Sequence, residues 1–97
     1  MDKTTLQEIA AIIEEAENMK NAYFFTPPGA ASARRSYEKR HSHGPVTWQE
    51  GGHEYSAGYS VSCSCRNVYA AGTYTKDGKK TTLIAIRNSY KRLQAAD

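Results

Sequence analysis

This chain has little of what usually anchors a functional assignment. It holds two cysteines among 97 residues, Cys63 and Cys65, placed one residue apart. On an extended strand their Cα atoms would lie about 6.5–7 Å apart, at or beyond the reach of a disulfide, so reduced and partly buried thiols are expected. No run of about eighteen apolar residues occurs, which excludes a membrane-spanning helix by sequence. No basic start, apolar stretch and small-residue cleavage site marks a secretory leader, so the expected location is cytoplasmic. A Gly-x-Ser-x-Gly elbow and a phosphate-cradling glycine loop are both missing. With no complete catalytic motif, a non-enzymatic protein without a cofactor is expected.

What is present reads as one α+β domain over residues 1–97. A hydrophobic fraction of 39% and a charged fraction of 24% are those of a globular chain, and the length allows only a modest core. The formal charge of +3 is unevenly spread. Residues 1–33 hold Lys3 and Lys20 against Asp2, Glu8, Glu14, Glu15 and Glu17, a balance of −3. Residues 34–92 hold eleven Lys and Arg against Glu38, Glu50, Glu54 and Asp77, a balance of +7. An acidic head and a basic body point to one face that attracts polyanions.

The clearest pattern runs from Glu54 to Cys65. Tyr55, Ala57, Tyr59, Val61, Cys63 and Cys65 alternate with Glu54, Ser56, Gly58, Ser60, Ser62 and Ser64. Period two over this length predicts a strand with one apolar and one polar face. Val46 to Glu50 alternates as a preceding strand after a turn at His41-Ser42-His43-Gly44-Pro45, and Gly51-Gly52 supplies a two-residue hairpin. That turn sets Glu50 opposite His53, Trp48 opposite Tyr55, and Val46 opposite Ala57, so apolar residues meet apolar residues. A second turn at Arg66-Asn67 leads into Val68–Thr75, with Cys63 facing Ala70, Val61 facing Gly72 and Tyr59 facing Tyr74. The expected buried face is Val46, Trp48, Tyr55, Tyr59, Val61, Cys63, Val68, Ala70 and Tyr74. The opposite face collects Thr47, Gln49, Ser56, Ser60, Ser62, Ser64, Tyr69, Thr73 and Thr75. It is either the wet side of an antiparallel sheet or a platform with Tyr69 as a stacking group.

Helices are expected at both ends. Thr4 or Thr5 caps the first, with Glu8 in the capping-box position after Thr5. Leu6, Ile9, Ala10, Ile13 and Ala16 then form a stripe that continues to Met19 or Tyr23. Tyr23-Phe24-Phe25 is expected to plug one end of the sheet, and Thr26-Pro27-Pro28-Gly29 turns the chain. Gly29 to about Ser42 reads as a short helix with Ala30, Ala33 and Tyr37 on one stripe. Asp77-Gly78 signals another hairpin. Beyond it, Leu83, Ile86, Tyr90 and Leu93 predict a helix from about Thr82 to Ala95, capped by Thr81 or Thr82, with strand-then-helix as the alternative.

The predicted architecture is a three-stranded antiparallel meander, or four strands if the stretch after Gly78 opens as one. The N- and C-terminal helices cover one face, and the short basic helix lies between the first helix and the sheet. From Gly44-Pro45 through three strands and Lys79-Lys80 to a final helix, the order resembles that of a double-stranded-RNA-binding domain over about half the chain. A long basic insertion after the first helix, and a last helix without that family's small-residue pattern, depart from it. The resemblance is one of element order.

Candidate site residues follow from charge and chemistry. Arg34, Arg35, Lys39 and Arg40 form the densest basic segment, and guanidinium forks match phosphate and carboxylate oxygens. With Arg66, Tyr69, Lys76, Lys79 and Lys80 they make a candidate contact surface for nucleic acid or for an acidic surface of a nucleic-acid-processing complex. A small inhibitor of the kind bacteriophages direct against host defence complexes (anti-CRISPR-like) is one expectation for such a chain. The alternative is a protein–protein module, including a homodimer through an exposed strand edge at Val46 to Glu50. His41, His43, His53, Cys63 and Cys65 are the weaker candidates for a zinc site, since Cys-x-Cys on a flat strand spaces its sulfurs too widely. A Cys-His or Ser-His pair, or an acid–base set of Glu50, His53 and Glu54, is the enzymatic alternative.

Overall fold

A computed structural model describes residues 3–18, 31–64 and 67–96. The elements in order are α1 (Lys3–Asn18), α2 (Ala31–His41), β1 (His43–Glu50), β2 (His53–Ser64), β3 (Asn67–Lys76), β4 (Lys79–Lys80) and α3 (Leu83–Ala96). The four strands form one open antiparallel sheet in the order β1-β2-β3-β4. The fold is α+β with helices at both ends. Tyr23-Phe24-Phe25, the Pro27-Pro28-Gly29 turn, Cys65 and Arg66 lie outside the described residues.

Alternation along β2 is what the sheet is built on. Tyr55, Ala57, Tyr59 and Val61 are buried, while Ser60 and Ser62 are exposed and Cys63 is half-buried. The β1–β2 register is the one that the Gly51-Gly52 turn dictates: Glu50 with His53, Trp48 with Tyr55, Val46 with Ala57. Both glycines have positive φ, 62° and 80°, as a two-residue turn that follows the strands' twist requires. Asp77 and Gly78 repeat the device at φ 53° and 77°.

The sheet departs from the expected one at two places. The β2–β3 pairing is displaced by two residues, with Cys63 opposite Val68, Val61 opposite Ala70 and Tyr59 opposite Gly72. Ser64 already pairs with Asn67, so the connection is one residue earlier than expected on each side. A shift of two keeps every side chain on its face, because the pleat repeats every second residue. Ala70, assigned to the buried face, is exposed, and Tyr74 is only half-buried. The Tyr74 ring folds back over Gly72, where an added Cβ would collide with the phenolic oxygen.

The second departure is at the start of the sheet. Residues 41–45 do not form a simple turn: His41 ends α2 and His43 opens β1, with Ser42 between them. His43 pairs with Tyr59 and Val46 with Ala57, so Gly44 and Pro45 form a one-residue bulge against β2. Gly44 has φ 81°, and a Cβ there would meet the Ala57 carbonyl at 2.8 Å.

Ile9 and Ile12 of α1 and Ile86 of α3 seal the apolar face, joining Val46, Trp48, Tyr55, Ala57, Tyr59, Val61 and Val68 in one core. Trp48 and Tyr55 stack with centroids 5.7 Å apart. Ser89 is fully buried and accepts the Trp48 indole N–H at 2.9 Å, so the polar atoms end up paired. Thr4 and Thr5 fall inside α1 and not at its cap, since the helix already runs from Lys3. Thr82 does cap α3: its Oγ1 accepts the Ala85 N–H at 3.2 Å. Among the described residues no helix is long and apolar enough to cross a membrane.

Candidate nucleic-acid interface

The basic helix α2 has almost no apolar stripe, and its docking is polar. Arg34, Tyr37, Glu38 and His41, spaced three and four apart, are only partly exposed, whereas Arg35, Ser36, Lys39 and Arg40 are exposed. Tyr37 packs against the core as expected, while Ala30 and the side chain of Ala33 lie outside what is described.

What the inward stripe meets is a strand edge. β1 pairs with β2 only as far as Tyr59, so the next outward-facing amides of β2, on Val61 and Cys63, have no strand beside them. The Val61 N–H donates to Ser42 Oγ at 3.0 Å, and that hydroxyl stands 3.3 Å from the Val61 carbonyl, to which it donates. The Cys63 N–H donates to Glu38 Oε2 at 2.7 Å. Ser42 is itself tied to the last turn of α2, its N–H donating to the Glu38 carbonyl at 2.9 Å. The end of α2 thus completes the edge that β1 leaves open, satisfying amides that would otherwise lack partners.

A second anchor joins α2 to α1. The rings of His41 and His43 both donate to the Glu15 carboxylate, His43 Nε2 at 3.4 Å. Tyr37 packs on His41 with centroids 4.2 Å apart, and the Arg40 guanidinium stands 6.0 Å from the Tyr37 ring centre. Burial raises the Tyr37 phenol above its ordinary value, helped by Cys63 and Glu15 and opposed by Arg40. The Cys63 thiol is raised as well, by burial first and then by Glu38, with Arg34 acting the other way. A thiol held protonated is a poor nucleophile.

The expected basic set does not gather in one place. Arg35, Lys39 and Arg40 stand on the outer side of α2, while Arg34 is only partly exposed and its charge acts on the Cys63 thiol. Lys76, Lys79 and Lys80 lie at the other end of the sheet, where Lys76 is opposite Tyr55 and its Nζ stands 5.8 Å from that ring. Cys63 is eight residues along β2 from Tyr55, or about 25 Å. Tyr69 is 56% exposed on the uncovered sheet face, across from Ser62. Arg66 falls outside the described residues.

The four described zinc candidates are also divided. His41 and His43 share Glu15, Cys63 lies beside Glu38, and His53 is at the far hairpin, bonded to Asp77 Oδ2 at 2.7 Å. Among the described residues no group of three or more His, Cys, Asp or Glu is arranged to hold a metal ion. Nor do Glu50, His53 and Glu54 form an acid–base set. Glu50 pairs with Arg92 at 2.9 Å, and Asp77 takes both His53 and the Glu54 N–H.

Glu15, Glu38 and Ser42 are the residues that sequence reasoning missed. The signal for Glu38 was its place between Arg34 and His41 on a stripe of polar residues, which reads as solvated until a strand edge is set beside it. No protein family matches the chain, and neither does any curated protein or solved structure.

Proposed function

We propose that this chain is a small non-enzymatic binding protein whose α2 surface meets a polyanion, the phosphates of a nucleic acid or an acidic surface of a nucleic-acid-processing complex. The observation that supports this most is how the cations are used. Arg87 pairs with Glu17 at 3.4 Å and Arg92 with Glu50, so α3 spends its arginines inside the molecule. Arg35, Lys39 and Arg40 form no ion pair among the described residues. Glu38, on the same helix, binds the Cys63 amide, and Glu15 binds two histidines. The outer side of α2 therefore presents three exposed cations within six residues, the kind of cluster that attracts a polyanion.

The test is a titration of fluorescent single- and double-stranded DNA and RNA at several salt concentrations. Each phosphate contact contributes about −0.9 to the slope of log K against log salt on a duplex, so three cations predict a slope near −2.7. Replacing Arg35, Lys39 and Arg40 together by alanine should flatten it by that amount. Salt-independent binding, or none at low salt with any nucleic acid or acidic nucleoprotein surface, would overturn the proposal.

A further inference from the structure

The molecule treats its strand edges differently. β2 beyond β1 is capped by Ser42 and Glu38, and β1 carries the Gly44-Pro45 bulge. On the outer edge of β3, away from β2, the only strand among the described residues is β4, which reaches just Thr75 and Lys76. The Thr81 N–H donates to the Tyr74 carbonyl at 2.9 Å, so the Tyr74 backbone points outward. By the two-residue period the backbones of Gly72, Ala70 and Val68 do the same. Among the described residues nothing pairs with them. From Val68 to Thr73 the edge carries no charge and no proline, the usual safeguards against pairing.

We propose that this edge is a self-association site, pairing antiparallel with β3 of a second copy about a two-fold axis through Ala70. The sequence Val68-Tyr69-Ala70-Ala71-Gly72 is complementary to its own reverse. The two-fold sets Val68 against the second copy's Gly72, Tyr69 against its Ala71, and Ala70 against its own counterpart. On the open face the large, exposed Tyr69 thus stands opposite the small Ala71 of the second copy, the same match on both sides of the axis. Tyr69, Ala70, Ala71, Gly72 and Thr73 are all exposed in the single chain, and the pairing would cover them. A neutral edge also lets two basic chains approach without opposed charges at the contact. A strand supplied by another protein would have no reason to match this order of sizes. The inference uses no cation of α2 and so stands apart from the polyanion reading.

Light scattering over a rising concentration series should give a mass approaching twice the 10.8 kDa of the chain. Ala70→Lys sets two ammonium groups across the axis and should raise the dissociation constant at least ~10-fold, with an unchanged melting temperature at concentrations where the parent is monomeric, because Ala70 is exposed. Thr47→Lys on β1 should leave association intact. In a Cys63→Ser, Cys65→Ser background, Ala70→Cys should cross-link to a covalent dimer on oxidation, because directly hydrogen-bonded antiparallel partners have Cα atoms about 5.5 Å apart. A monomer at every concentration would overturn the proposal. So would a dimer that Thr47→Lys dissolves and Ala70→Lys does not, or a native dimer in which the Ala70→Cys variant fails to cross-link.

Discussion

Removing the Glu38 carboxylate should release α2 from the sheet. In Glu38→Ala the Cys63 N–H loses a charge-assisted bond of 2.7 Å, an interaction worth about 1.5–3 kcal/mol when the acceptor is ionised. Cys63 is half-buried, so water recovers part of that, and the net loss should fall near 1–2 kcal/mol. For a domain of this size that lowers the melting temperature by about 5–15 °C. Glu38→Gln keeps an acceptor oxygen without the charge and should cost about half as much. The loss is bounded by the docking energy of α2, because the sheet, α1 and α3 share a core to which α2 adds Tyr37 at the margin. The more telling readout is therefore local. Amide exchange at Val61 and Cys63 should quicken while that at Tyr55 and Ala57 does not. The Cys63 thiol should react faster with a thiol reagent, through greater exposure and through loss of the negative charge that helps to keep it protonated. Urea unfolding followed by Trp48 fluorescence supplies the global term. Combining Glu38→Ala with Ser42→Ala should be non-additive by more than ~0.5 kcal/mol, since both residues serve one stretch of edge. A melting temperature within ~1 °C of the parent, together with unchanged Cys63 reactivity, would refute this account of how α2 is held.

Ser89→Ala strands the buried Trp48 indole N–H and should destabilise by about 1–3 kcal/mol in a urea titration, although it deletes only one oxygen. Gly44→Ala combines a positive φ with a clash against the Ala57 carbonyl and should cost about 1–3 kcal/mol or more by thermal melting. The Asp77 carboxyl is held below its ordinary value of 3.8, first by the Glu54 N–H and then by His53. A depressed carboxyl contributes stability that is present above the unfolded value and lost as pH falls through the folded one. Asp77→Asn tolerates the same positive φ, so its melting temperature should depend less steeply on pH below about 4 than the parent's. In the alkaline range, burial raises the Tyr74 phenol. Its contribution is complete below about pH 10 and lost as pH climbs through the folded value, so Tyr74→Phe should resist base better than the parent in a pH-jump melt.

The sequence by itself determined the sheet face and the first hairpin. Alternation from Tyr55 to Val61 says which residues go inside, and a two-glycine turn leaves the β1 and β2 partners one register. It determined α3 as well, because Leu83, Ile86, Tyr90 and Leu93 repeat at helical spacing behind a threonine cap. Both signals are local, carried by neighbours along the chain. The tertiary structure alone decided the role of α2. Arg35, Lys39 and Arg40 were legible as positive, but Glu38 and Ser42 became an edge cap only once the β1–β2 pairing ended at Tyr59 and left the Val61 and Cys63 amides facing them. Hydrogen bonds to a strand edge leave no apolar period to read, and their partners lie 19 and 25 residues away. The Ala70 edge is bare for a related reason: its alternation names a face, but only the arrangement of β4 and α3 shows that nothing described comes to lie beside it.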